Sequence, residues 1–116
     1  MRELSGMDVY ANLAEEQRHR AWDLALYAVN TVELYRSTYA GIQRSLYKKY
    51  IKGEYNEEQA NKAFYNTVPT VIRLWNRELN DNLRLTEAEK RVVATEIREH
   101  YDMDFELYTN GGLIAV

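Results

Sequence analysis

Glu16 and His19 stand three residues apart. This Glu-x-x-His spacing puts a carboxylate and an imidazole on one helix face, and di-iron bundles use it in pairs. A working site of that kind needs a second such pair and two further carboxylates. Glu96, Glu99 and His100 are the residues left to supply them, and their order is wrong. The same groups are the candidates for acid–base chemistry, because histidine titrates near neutrality, but nothing orients them. A phosphate-cradling Gly-rich loop and a nucleophile elbow are absent from the sequence, and Gly111-Gly112 alone makes neither. With no Cys in the chain, thiolate nucleophiles, disulfides and Cys-ligated zinc or iron–sulfur sites are excluded together. The expectation is a chain with no catalytic residue, no metal site and no cofactor, its Glu and His side chains lying on solvated helix faces.

Binding chemistry has more to work with. Arg36, Arg44, Lys48 and Lys52 recur on one side of a helical stretch with no acidic residue between positions 36 and 52. With Tyr47, Tyr50 and Tyr55 close by, this basic face has the means to hold phosphates and stack on bases, which makes it the candidate nucleic-acid surface. The competing explanation is a solvated face whose cations complement the negative end of the helix dipole. Ten tyrosines in 116 residues point instead to a contact surface, since tyrosine gives large area for two side-chain torsions. Tyr35, Tyr39 and Tyr50 fall on a core stripe. Tyr10, Tyr47, Tyr55, Tyr65 and Tyr108 lie off the core stripes and are the candidate partner-binding residues.

The elements that must position these residues are helices. The centre of the chain, 31–79, reads as a long helical hairpin. Its first arm, 31–52, repeats Tyr35, Tyr39, Ile42, Leu46 and Tyr50 at steps of three and four, one stripe at about 100° per residue. Gly53 supplies the left-handed stop, with Lys48, Lys49 and Lys52 at the negative helix end. Asn56 then caps the second arm, 57–79, with Gln59 placed for a capping box. Ala60, Phe64, Val68, Val71, Trp75 and Leu79 form the cleanest apolar run in the chain. Pro69 interrupts it at a cost of roughly 3 kcal/mol in a helix interior. It lies opposite the Phe64–Trp75 stripe, so the helix either bends through it, convex to solvent, or restarts there with Thr67 as a cap.

Around this hairpin the pattern places a loose leader over 1–12 and a helix over 13–29. Leu13, Gln17, Ala21, Leu24 and Ala28 share one side of that helix, and Trp22, Leu26 and Val29 widen the apolar arc. Asn30 with Glu33 is box-like, so the chain breaks at Asn30-Thr31; one helix over 13–52 is the other arrangement the pattern allows. Asn80-Asp81-Asn82 marks a loop. Thr86 and Glu89 open a last helix, 87–101, with Val93, Ile97 and Tyr101 inward. Beyond it, Asn110-Gly111 between two short apolar segments resembles a hairpin signal, although strands this short are marginal alone: either a small β-hairpin docks on the helices or the apolar 103–116 tail is an arm for a partner. The fold expected is thus a single all-α domain of four helices with an apolar C-terminal extension.

Composition agrees: 46% hydrophobic residues, five Gly and one Pro suit a globular chain of one core. No run of about 18 apolar residues exists to cross a membrane, and Glu3 and Asp8 are unlike a secretory signal, so a cytoplasmic location is expected. A net charge of −3 is too small for bulk attraction to nucleic acid and too small for DNA mimicry. Charge is unevenly placed, however. The basic face contrasts with Glu99, Asp102, Asp104 and Glu106, an arrangement open to self-association.

The succession Glu33-Leu34-Tyr35, Leu46-Tyr47-Lys48-Lys49-Tyr50, Lys52-Gly53-Glu54-Tyr55, Ala60, Ala63-Phe64 and Val68 resembles a group of short helical proteins encoded by bacteriophages and related mobile elements. The likeness covers roughly residues 20–80, and Pro69 departs from it. The resemblance implies a viral protein acting in a bacterial host cytoplasm and carries over no functional residue. Together with the missing chemistry and the tyrosines, it sets the functional expectation: a non-enzymatic, homodimeric phage-type protein that binds and modulates a host protein, as an anti-defence inhibitor for instance. Nucleic-acid binding by Arg36, Arg44, Lys48 and Lys52 is the alternative.

Overall fold

A computed structural model describes residues 14–111, with side-chain surroundings through residue 102. Every element in that span is helical. Helix α1, Glu15–Asn30, opens at Ala14, whose N–H donates to Gln17 Oε1 at 3.0 Å, while Glu15 and Glu16 sit at the positive end of the dipole. The Ala21, Leu24, Ala25 and Ala28 side is buried. Trp22 and Leu26, predicted to widen that apolar arc, are instead 49% and 43% exposed. The side of α1 that is buried carries Ala21, Leu24, Ala25 and Ala28, flanked by Arg20 on Glu89 and Tyr27 on Trp75, and Trp22 and Leu26 fall outside it.

The chain breaks at Asn30-Thr31 as predicted, with Thr31 in place of Asn30 at the start of the next helix. Thr31 is extended (φ −93°, ψ 110°) and its hydroxyl turns back to the Tyr27 carbonyl at 2.6 Å. A single helix over 13–52 is thereby excluded, as is an Asn30–Glu33 cap. Helix α2 spans 32–51 in three consecutive pieces: Val32–Leu34, a π-turn over Tyr35–Tyr39, and Ala40–Ile51. The Ala40 N–H reaches the Tyr35 carbonyl five residues back, the π pattern. This corrects the predicted core stripe. The buried residues are Leu34, Tyr39, Gln43, Leu46 and Tyr47, with a first step of five where a uniform helix takes three or four. Tyr35 and Tyr50, expected inside, lie 42% and 37% exposed at the edges.

Gly53 ends α2 at φ 73°. Its N–H bonds the Tyr50 carbonyl at 3.1 Å and the Glu54 N–H bonds that of Lys49 at 2.8 Å, the paired bonds of a Schellman stop. Helix α3, Glu57–Tyr65, starts with Asn56 Oδ1 accepting from the Gln59 N–H at 2.9 Å. The second arm then splits. Asn66 and Thr67 form a turn, and α4, Val68–Leu79, restarts with Pro69 in its first turn, where a missing N–H is harmless. Thr67 does not cap α4 through its side chain; its hydroxyl donates to the Phe64 carbonyl at 2.7 Å. The split rotates the end of the arm outward: Leu74 is buried and Leu79, predicted inside, is 53% exposed.

Asn80, in the left-handed region, closes α4. Trp75 Nε1 donates to Asp81 Oδ2 (2.8 Å), and the Asn76 amide holds both the N–H and the carbonyl of Leu83. The loop therefore delivers the chain to α5, Glu87–Gly111, in a fixed direction. The capping box forms in both directions: Thr86 N–H to Glu89 Oε1 at 2.9 Å and Glu89 N–H to Thr86 Oγ1 at 3.2 Å. The helix continues through Gly111, so the strand predicted over 105–109 and its turn at Asn110-Gly111 are replaced by helix. Extending a helix already running costs less than starting a new element, which carries the backbone past the point where apolar periodicity stops.

The four predicted helical stretches make an all-α domain, and α5 is the common partner of α1, α2, α3 and α4. The hairpin arms meet where Tyr39, Phe64 and Tyr101 cluster, with ring centroids 5.5–5.9 Å apart, so the last helix completes the seam between them. Because Thr67 spends its hydroxyl proton on Phe64, the buried Tyr39 hydroxyl donates to Thr67 Oγ1, at 3.0 Å. Among the described residues no helix is long and apolar enough to cross a membrane.

Candidate functional site

Antiparallel packing of α3 on α5 is set by polar side chains as well as apolar ones. Arg98, only 5% exposed, donates through Nη1 to Asp102 Oδ2 (2.5 Å) and through Nε to Asn61 Oδ1, and Glu57 stands 3.6 Å from its Nη2. The Tyr55 hydroxyl donates to both Asp102 oxygens at 2.7 and 2.8 Å. Burial pushes the Tyr55 hydroxyl up, and the Asp102 carboxylate raises it further. Burial also raises Asp102 itself, against the lowering effects of Tyr55 and Arg98. At the other end of α3 the Tyr65 hydroxyl donates to Glu87, which holds that carboxyl below its ordinary value and the phenol above.

Between these two polar fastenings a groove of about 280 Å³ opens, lined by Asn61, Lys62, Tyr65, Arg91, Ala94 and Thr95. Buried Ala94 and Thr95 make a floor of small side chains, exposed Lys62 and Arg91 bring two cations, and Tyr65 supplies a wall. The bond to Glu87 fixes the Tyr65 ring, so that wall is already in position before anything binds. The surface suits an apolar side chain set down between acidic neighbours.

The predicted partner-binding tyrosines divide. Tyr65 lines the groove. Tyr55 lies beyond it, half-buried, with its hydroxyl committed to Asp102. Tyr47, predicted to be outward, is a core residue at 6% exposure, because the π-turn advances the phase of α2 and brings it inside; its ring stacks on Tyr50 at 6.4 Å. Tyr10 and the Tyr108 side chain lie outside the described residues. Arg36, Arg44, Lys48 and Lys52 are all exposed on α2 and its cap, Arg36 within the π-turn. The tyrosine lattice proposed beside them is changed, since Tyr47 is buried and Tyr50 packs edge-on against Tyr55 at 6.2 Å.

His19 is largely exposed and stands 3.9 Å from Glu15, and His100 rests edge-on against Tyr101. Among the described residues no group of three or more His, Asp or Glu converges as metal ligands would. Lys62 and Arg91 escaped the sequence reading because they come from separate helices. The available signal was Lys62 one turn before Tyr65; its partner across the groove has no local mark. No protein-family model matches the chain, and neither the curated proteins nor the solved structures contain a significant match to it.

Proposed function

We propose that the protein is a non-enzymatic binding protein that docks a segment of a bacterial host protein in the α3–α5 groove and thereby modulates it. The observation carrying this reading is the groove itself, with its small-residue floor, its fixed Tyr65 wall and the two cations Lys62 and Arg91. An acidic segment presenting one apolar side chain has the matching chemistry, burying that side chain on Ala94 and Thr95 while its carboxylates meet the cations. The likeness to phage-encoded proteins supports a host target and a bacterial cytoplasm, with anti-defence inhibition as the biological role. Homodimerisation belongs to the same proposal, and the exposed Trp22 and Leu26 on α1 are among the apolar residues open to it. The test is affinity capture from bacterial lysate with the parent and with a Lys62→Glu/Arg91→Glu variant. A specific host protein retained by the parent and lost by the variant is expected; identical captured sets would overturn the reading.

Nucleic-acid binding by α2 is the second reading. It is favoured by Arg36, Arg44, Lys48 and Lys52 being exposed and, among the described residues, in no ion pair. A mobility shift that weakens steeply with salt and vanishes on reversing those four charges would replace the first reading with this one.

A further inference from the structure

A second groove, of about 470 Å³, opens between α4 and the part of α2 that contains the π-turn. Its floor is apolar, from Leu34 and Leu74, and its polar lining comes from Glu33, Ser37, Thr70, Arg73 and Arg77. We propose that this groove binds a small organic phosphate, the phosphoryl group held by the two guanidiniums and the two hydroxyls, the apolar body resting on the two leucines.

Arg73 and Arg77 are one turn apart on α4, so they present their guanidiniums on the same face. Among the described residues neither is paired with a carboxylate, whereas Arg20 and Arg98 are paired with Glu89 and Asp102. Arg73 is oriented in the groove by its Nη2 bond to Thr70 Oγ1 at 3.2 Å. A guanidinium fork matches phosphoryl oxygens two at a time, and hydroxyls donate to the oxygens that remain. Ser37 belongs to the π-turn, a conformation frequent at functional sites. Glu33 lines the same groove and limits what enters. Two arginines and one glutamate leave a net charge of +1, enough for a single phosphoryl group and unfavourable to a long polyanion. The volume lies within the roughly 300–1,000 Å³ of small-molecule sites.

The test is amide NMR on the full chain, titrated separately with phenyl phosphate and with inorganic phosphate. Saturable shifts at Ser37, Thr70, Arg73 and Arg77 are expected, with phenyl phosphate the tighter because its ring covers Leu34 and Leu74. Arg73→Gln/Arg77→Gln, with the dispersed spectrum retained, should weaken binding by about tenfold or more, as loss of charged hydrogen bonds does. Glu33→Gln should tighten it. The proposal fails if shifts do not saturate, if they centre on Lys48, Lys49 and Lys52, if the double variant binds like the parent, or if Glu33→Gln leaves affinity unchanged.

Discussion

Glu89 is a fully buried carboxylate that holds two elements together: Arg20 Nε and Nη2 donate to its Oε2 at 2.8 and 2.6 Å, and the Thr86 N–H takes its Oε1. Burial opposes its ionisation, but the Thr86 and Arg20 bonds outweigh that and hold its pKa below the ordinary 4.5. A depressed folded pKa means stability that is complete above the unfolded value and lost as pH falls through the folded one. Glu89→Gln keeps one oxygen to accept the Thr86 N–H but puts an NH2 where Oε2 accepted from Arg20, so it removes the charge and the Arg20 acceptor together. We therefore predict that it costs about 1 kcal/mol at pH 7, because the half-exposed Arg20 is screened by water. In denaturant titrations from pH 7 downward, the gap to the parent should close below pH 4.5; a gap that stays constant into strong acid would refute the assignment. Tyr39→Phe isolates a second buried contact, the bond to Thr67. The expected loss is roughly 0.5–1.5 kcal/mol, with the ring cluster intact by near-UV circular dichroism.

Helix α2 carries two glycines whose replacement by alanine should have opposite signs. At Gly53 a Cβ would meet nothing within 4 Å, so the cost is purely that of φ 73°, about 1–2 kcal/mol. At Gly41, also free of nearby atoms but inside the helix, alanine should stabilise by up to about 1 kcal/mol. Thermal unfolding of both variants checks the pair, and two shifts of the same sign would contradict the assigned conformations. Legibility in the sequence followed locality. The Gly53 stop, the Asn56 cap and the Thr86–Glu89 box rest on residues within five positions of one another; the stop and the box formed as read, and Asn56 accepts from the Gln59 N–H. The π-turn left no local mark: Tyr35, Tyr39, Ile42, Leu46 and Tyr50 fit a uniform helix so well that the inserted residue, and with it the burial of Tyr47, went unseen. The hairpin signal at Asn110-Gly111 failed for the converse reason, a local preference overridden by a helix already running. Both grooves were illegible because each joins residues from two helices, and spacing along the chain reports only one helix at a time.

At the scale of the whole molecule, the domain is flattened, 40 × 31 × 20 Å, and each of the four other helices rests on α5. Phe64 is buried completely, with its ring 5.8 Å from Tyr101 and 4° from parallel. Phe64→Ala should cost roughly 3–5 kcal/mol and, in a domain of this size, bring most of the chain near its unfolding midpoint at room temperature. Loss of all helices in one transition is expected by calorimetry and circular dichroism together; separate melting of α1 would contradict a shared core. The position of α5 in the chain also has a consequence during synthesis. Ala28, Tyr39 and Phe64 leave the ribosome well before Val93, Ile97 and Tyr101, the residues that cover them. Until Tyr101 emerges, the nascent protein holds its aromatic interior open to chaperones, and a released chain stopped before Val93 should be digested by a protease that the chain through Tyr101 and the rest of α5 resists.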